Sequence, residues 1–411
     1  MRRPQPALLF CLLVPALGAC RDSVGPAAPD PIVLAATVSE TGRFSELGSE
    51  VARGYRLGVE MLNEMGGLFG LAGREVRLIL RDDASDAQTS ADIYAEYVST
   101  DTIDALLGPY SSPITEAVVT VAEASGIPLV APMAAAPGIW TGQNRQWSVQ
   151  MLNAGPTYLQ GSVELAAQHG ARTAALVYED SQFAASVAEG VREAVRTSGM
   201  TLLLDRPYAA NGADHEALAA AARDAAADLF IGGGYYDDAV AFTRALSAAN
   251  YTPLLVSLSL GPAETGFAEE LGDLARCVAG NAAWVPTIRT SGYIASSAEF
   301  VRRYETAHGA LPSYYAAGGF GAVELLAEAI DAAAPAGGDI DGAAVRDYLF
   351  STATSTVLGP FAAYALGDGQ AGAQKALKGL QVQWQDDGAG GLTRRIIHPA
   401  AVADAEPCFW R

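Results

Sequence analysis

With four histidines among 411 residues, the chain carries few groups suited to proton transfer or metal binding. His169, His215, His308 and His398 stand far apart, without the spacing that brings two imidazoles to one metal. The lysines, Lys375 and Lys378, precede Ala376 and Gly379. A phosphate-binding loop needs lysine followed by Ser or Thr, so that chemistry is excluded, and a Schiff-base lysine has poor candidates. Gly232-Gly233-Gly234 begins like a dinucleotide loop, but the last glycine of that fingerprint would fall at Asp237. No G-x-S-x-G elbow is present, and no histidine sits at a motif-defined base position. Asp82, Asp83 and Asp86 follow a predicted strand, where helix capping accounts for them better than calcium does. What remains is a set of hydroxyls, small residues and aromatics: Ser111, Ser112, Ala134, Ala135, Phe183, Tyr235, Ser259 and Phe44. Such groups hold a molecule rather than transform it, and no cofactor or metal is expected.

Composition narrows the partners. Asp and Glu number 46 against 26 Lys and Arg, a formal charge of −20. A surface that negative repels phosphate backbones, so nucleic acid is not an expected partner. Half of the residues are apolar and 18% are charged, which allows a sizeable core. The length suits two or three compact units, or two large lobes.

The first residues read as an address. Arg2 and Arg3 precede a 13-residue apolar run from Ala7 to Ala19. As a helix it would rise about 20 Å, short of a ~30 Å hydrocarbon core, so a secretory signal over 1–19 is the better reading. The run ends in Leu17-Gly18-Ala19-Cys20, which resembles the lipobox of bacterial lipoproteins. That resemblance implies a lipidated Cys20 and a periplasmic or extracytoplasmic protein anchored to a membrane; an ordinary signal with a coincidental cysteine is the alternative. Residues 20–31, rich in Pro, Ala and Gly, read as a flexible tether. Cys277 and Cys408 are then the mature thiols, either paired or free.

From Pro31 onward, strands and helices alternate. Strands are predicted over 32–38, 76–80, 105–108 and 129–131, with helices over 49–63 and 86–99. A third helix opens at Ser112-Pro113, with Ser112 as the expected N-cap and Pro113 in the first turn. After Trp147 come helices over 156–169, 182–198, 214–225 and 237–249 between strands over 173–178, 201–204, 228–231 and 254–257. Continuous apolar strands such as Ala174 to Val177 predict parallel pairing with both faces covered. Two such series imply an α/β protein of two doubly wound parallel-sheet lobes. A strand over 277–286 leaves the second lobe, followed by helices over 297–308, 314–332 and 342–350 and a tail of short strands.

Several segments carry a resemblance together. Asn63-Glu64-Met65-Gly66-Gly67 ends the first helix, and Arg81-Asp82-Asp83-Ala84-Ser85-Asp86 ends the second strand. Gly108-Pro109-Tyr110-Ser111-Ser112, Ser125-Gly126-Ile127-Pro128 and, further on, Gly232-Gly233-Gly234-Tyr235-Tyr236 complete the set. In this order they are similar to the branched-chain amino-acid (Leu/Ile/Val)-binding family of type I periplasmic binding proteins, the solute receptors of ABC importers. The resemblance implies two lobes joined by a three-segment hinge: 32–147 with 286–356, and 148–285 with 357–405. It implies closure over a small-molecule solute and delivery to an ABC permease in the cytoplasmic membrane. A ligand-sensing receptor of the same fold would read identically, and an enzyme is the remote alternative.

In open parallel sheets, the crevice beyond the carboxyl ends of the strands is the usual ligand site. There the resemblance makes Ser112, beside Ser111, the anchor for a carboxylate at a helix N-terminus; capping its own helix is the plainer role. Relatives that bind amino acids place a hydroxyl where Ala135 stands, which leaves the backbone groups of Ala134 and Ala135 as contacts. Ser259 aligns with the acid that pairs with a ligand ammonium, and Asp237, Asp238 or Glu264 are the substitutes at hand. Phe183 stands where many relatives have tyrosine, Tyr235 retains the aromatic expected from the opposite lobe, and Phe44 is a further aromatic candidate. The missing hydroxyl and acid shift the expected solute from a free α-amino acid toward a small carboxylate or amide with an apolar body.

Overall fold

The computed structural model describes Met1 and residues 30–410, apart from 72, 101, 211 and 335–339. The expected signal and tether, with Cys20, lie outside the described residues save for Met1, Asp30 and Pro31.

Seven apolar or small residues, all buried, form β1 (Ile32–Val38). After α1 (Ser45–Glu64), β2 (Val76–Asp82) pairs parallel with it, from Ile32 opposite Val76 to Val38 opposite Asp82. Then follow α2 (Ala87–Val98), β3 (Ala105–Leu107), α3 (Ser112–Ser125), β4 (Leu129–Ala131) and β5 (Ser148–Gln150). The five strands make a parallel sheet of order β2-β1-β3-β4-β5.

The chain next builds α4 (Gln160–Gln168), β6 (Thr173–Glu179), α5 (Gln182–Thr197), β7 (Thr201–Tyr208) and α6 (His215–Asp224). β8 (Leu229–Gly233), α7 (Tyr236–Ala248), β9 (Leu255–Leu258), α8 (Thr265–Leu271) and β10 (Val278–Ala282) follow. It then returns to the first sheet with α9 (Ser297–His308), α10 (Tyr314–Ala333), α11 (Gly342–Ser351) and a hairpin, β11 (Thr354–Thr356) and β12 (Gly359–Phe361). β13 (Leu380–Asp386) and β14 (Leu392–His398) close the second sheet, of order β14-β13-β10-β9-β8-β6-β7. The chain thus passes between the sheets after β5, after β10 and after β12, giving two lobes.

Three features differ from the sequence expectation. The second sheet is mixed, because β13 and β14 join antiparallel, as a hairpin at a sheet edge does. β5 extends the first sheet to Gln150, past the expected boundary at 147, and the chain enters the second sheet again only at Leu380. The helix α8 was not expected, since seven residues are too few for a helical period to stand out.

Two packing details hold the first lobe around the later site. A Cβ on Gly54 of α1 would lie 2.1 Å from the Ala316 carbonyl oxygen, and one on Gly319 of α10 would lie 2.4 Å from that of Val51. The two helix backbones therefore touch, and this sets Tyr314 and Tyr315 at the start of α10. Deeper along the same helix, the fully buried Glu324 accepts hydrogen bonds from Ile294 N and Ala295 N, both 3.1 Å, and from Val357 N, 2.7 Å. Those bonds tie the second crossover and the β11–β12 hairpin to α10. In the second lobe, Cys277 and Cys408 are joined as a disulfide with Cα atoms 5.3 Å apart, which resolves the pairing the sequence left open.

Candidate functional site

The carboxyl ends of the parallel strands from both sheets converge on one narrow cavity, whose empty space of about 280 Å³ includes the part open to solvent. A crevice at strand ends is where α/β folds take their ligands. From the first lobe come Tyr110, Ser111 and Ser112 after β3, Met133 and Ala135 after β4, and Tyr314 and Tyr315 at the start of α10. Leu152 and Tyr158 line it from the first crossover and its approach to α4. Phe183 in the first turn of α5, Tyr235 after β8 and Leu260 after β9 come from the second lobe.

The Ser111-Ser112 pair is held unusually. Ser111, at the N-cap position of α3, has φ 79° and ψ 149°, a region that only glycine occupies without strain. Its carbonyl is pinned by Thr115 through N (3.1 Å) and Oγ1 (2.8 Å), while its own Oγ is buried without a hydrogen-bond partner. Ser112 is the first helical residue, not the N-cap expected from sequence. Its Oγ accepts from Ala135 N and Ala136 N, both at 3.1 Å. With two acceptor sites filled, what the hydroxyl has left to offer is its proton.

The apolar wall is mostly aromatic. Ring centroids lie 5.4 Å apart for Tyr158 and Phe183, 5.5 Å for Phe183 and Tyr235, and 5.5 Å for Tyr110 and Tyr315. Tyr314 and Tyr315 stack at 4.0 Å, and the Tyr314 hydroxyl donates to that of Tyr315 at 2.6 Å. Burial raises the pKa of the cavity tyrosines, so the phenols stay neutral. The Tyr235 hydroxyl lies close enough to Ser181 to be influenced by it, but no hydrogen bond of normal geometry joins them. Among the described residues, no Lys, Arg or His lines the cavity.

Close to this wall lies a carboxyl. Glu264, 6% exposed, has an Oε1 without a partner, and its charge would be felt by Tyr110, Tyr314 and Tyr315. Burial, only partly offset by Arg394, pushes its pKa up to about 8, so at neutral pH it is largely protonated.

The other named residues divide clearly. Ser111, Ser112, Ala135, Phe183 and Tyr235 surround the cavity. The backbone of Ala135 is already used, its N–H by Ser112 and its carbonyl by Gly155 N at 2.7 Å, so only its methyl is available. Ala134 turns into a separate apolar cluster, and its carbonyl accepts from Gln150 Nε2 at 2.8 Å. Ser259 is a backbone clamp: its Oγ accepts from Gly234 N and donates to Gly234 O, both at 2.8 Å, and it is fully buried off the cavity. Phe44 stands behind the lining, 5.1 Å from Tyr235 and 5.5 Å from Tyr110. Asp237 is exposed, and Asp238 accepts from Tyr235 N at 3.0 Å. Sequence reasoning passed over Tyr158, Tyr314 and Tyr315. A Tyr-Tyr pair directly after the helix-capping Ser313 was the available signal.

Two α/β lobes, crossed three times by the chain and meeting around a small cavity at their strand ends, define a two-lobed solute-binding module. Residues 31–389 match the family model described as periplasmic binding protein, and the chain belongs to that family. It is 25% identical over 419 residues to Leu/Ile/Val-binding protein homolog 7 of Brucella abortus (strain 2308), covering 96% of this chain and 98% of that protein. Homolog 8 of the same organism is 28% identical over 225 residues, and there the match spans 53% of this chain and only 55% of the relative's length. Among solved structures, the substrate-binding protein LivJ of Streptococcus pneumoniae in complex with isoleucine superposes with a TM-score of 0.75 at 18% identity. It covers 90% of this chain and 100% of that one. A Rhodopseudomonas palustris ABC-transporter solute-binding protein in complex with benzoate also gives 0.75 at 18% identity, over 92% and 99% of the two chains. These superpositions establish the type I two-lobed fold.

Proposed function

We propose that the protein is the extracytoplasmic solute-binding component of an ABC importer, held to a membrane through a lipidated Cys20. In this reading its two lobes close over a small carboxylate with an apolar body and pass it to a permease. The observation that carries the reading is a cavity walled by aromatics from both lobes, with Ser111, whose buried Oγ has no hydrogen-bond partner, in its lining. The carboxylate of the solute meets the Ser111 and Ser112 hydroxyls at the N-terminus of α3, where the helix dipole favours negative charge. The apolar body packs against Phe183, Tyr235 and the Tyr314–Tyr315 pair, which exclude water. An ammonium has no ionised carboxylate in the wall to meet, and desolvating it without one costs several kcal/mol. Relatives bound to isoleucine and to benzoate support a small carboxylate as the shared element. Thermal-shift screening of residues 32–411 against aromatic acids, branched short-chain acids, their amides and amino acids tests it. The carboxylates are expected to raise the melting temperature most, and a panel in which only amides do so would refute the assignment.

A further inference from the structure

Resting on the two-lobed solute-binding reading, we infer that Arg43 is a positioning residue that clasps the lobes shut over the cavity and offsets an acidic rim which would otherwise part them.

Arg43 lies in the loop between β1 and α1, and that loop is stiff. Ser85 Oγ donates to Thr41 O at 2.7 Å and accepts from Phe44 N at 3.0 Å, and Thr41 Oγ1 donates to Asp82 at 2.6 Å. Gly42, with φ 83°, presses against the same turn, where an added Cβ would lie 2.5 Å from Ala84 O. From this mount the Arg43 guanidinium crosses to the second lobe. It pairs with Glu179 at the end of β6 and lies 3.7 Å from Asp238 in α7. It also sits 4.9 Å from the ring centre of Tyr235 and 5.4 Å from that of Phe44, over the back of the cavity wall. Among the described residues, these are the only ion pairs that join one lobe to the other.

The second lobe supplies no substitute for Arg43 at Glu179. That side chain is 1% exposed and has no other salt-bridge partner among the described residues, whereas Asp238 also has His215 Nε2 at 3.1 Å. Beside the clasp the two rims carry like charge. Glu46 of the first lobe faces Asp237 and Glu270 of the second; burial and those neighbours together raise its pKa. Glu270 and the nearby Glu50 are answered within their own lobes, by Arg244 at 3.0 Å and Arg53 at 2.5 Å. Arg43 is therefore the cation that works across the gap, and removing it leaves repulsion and an unpaired acid to separate the lobes.

Small-angle X-ray scattering of the solute-free protein tests this without reference to any ligand. Arg43→Gln and Glu179→Gln should each lower the ratio of closed to open molecules by roughly ten-fold or more, read as a larger radius of gyration. The double variant should expand no further than either single one. Arg43→Lys should stay near the wild-type radius, and Arg196→Gln, which breaks the Arg196–Glu193 pair inside one lobe, should match it. Thermal unfolding of each variant verifies folding. An Arg43→Gln protein with the wild-type radius, or a wild-type protein as extended as that variant, overturns the clasp. Solute binding in the screen above can succeed or fail independently of either result.

Discussion

The charge state of Glu264 separates the solute classes by their response to pH. Its carboxyl is 6% exposed, has an unpartnered oxygen beside the cavity tyrosines and is pushed up to about 8. At pH 6 about one molecule in a hundred carries it ionised, and at pH 8 about half do. A solute whose ammonium requires the ionised form must drive off that proton, so its affinity should rise about 50-fold between pH 6 and pH 8. A carboxylate without an ammonium leaves Glu264 protonated, and its affinity should change by less than about three-fold over the same range. Isothermal titration at both pH values, in two buffers of different ionisation enthalpy, measures the affinity and the protons exchanged together. A flat profile, no net proton release and little effect of Glu264→Gln are expected. A tightly bound amino acid that releases one proton and gains tens-fold in affinity with pH would refute the reasoning about the solute, and Glu264 would then be its counter-charge.

Three further outcomes follow from the same geometry. Ser111→Gly removes the strain of a φ of 79° and should raise stability by about 1 kcal/mol while weakening solute binding, because Oγ is lost; melting temperature and affinity should move in opposite directions. Glu264 and Glu324 are both pushed up to about 8, above the range of an unfolded Glu, so the folded chain keeps protons that the unfolded chain gives up. Their contribution is complete below about pH 4.3 and is lost as pH rises through 8, so urea unfolding should show stability falling less steeply with pH for Glu264→Gln than for the wild type. Reducing the Cys277–Cys408 disulfide opens a link across 131 residues, worth about 5 kcal/mol by loop entropy, and should lower the denaturant midpoint clearly.

The α/β rhythm was legible because parallel strands buried on both faces are short apolar runs between amphipathic helices, as in β1 and β6. The antiparallel turn of β13 and β14 was not legible, since pairing direction depends on where the chain returns and not on its local pattern. At the site, Ser111, Ser112, Phe183 and Tyr235 could be singled out because strand ends and helix starts announce themselves in sequence. Ser259 misled: its place after β9 was right for a contact, but its hydroxyl is consumed by the backbone of Gly234. Tyr314 and Tyr315 come from a helix far along the chain and reach the cavity only because Gly54 and Gly319 let α1 and α10 touch. The reach of Arg43 to Glu179 spans 136 residues and two lobes, beyond any periodicity.

The proposed role requires the chain to enclose one small solute and leave it chemically unchanged. Its most direct test is to saturate the purified protein with the best carboxylate from the screen, measure the stoichiometry by native mass spectrometry, and recover the solute after denaturation. One solute per chain is expected, returned intact and in full. A chain that carries none at saturating concentration, or that returns a different molecule, would contradict it.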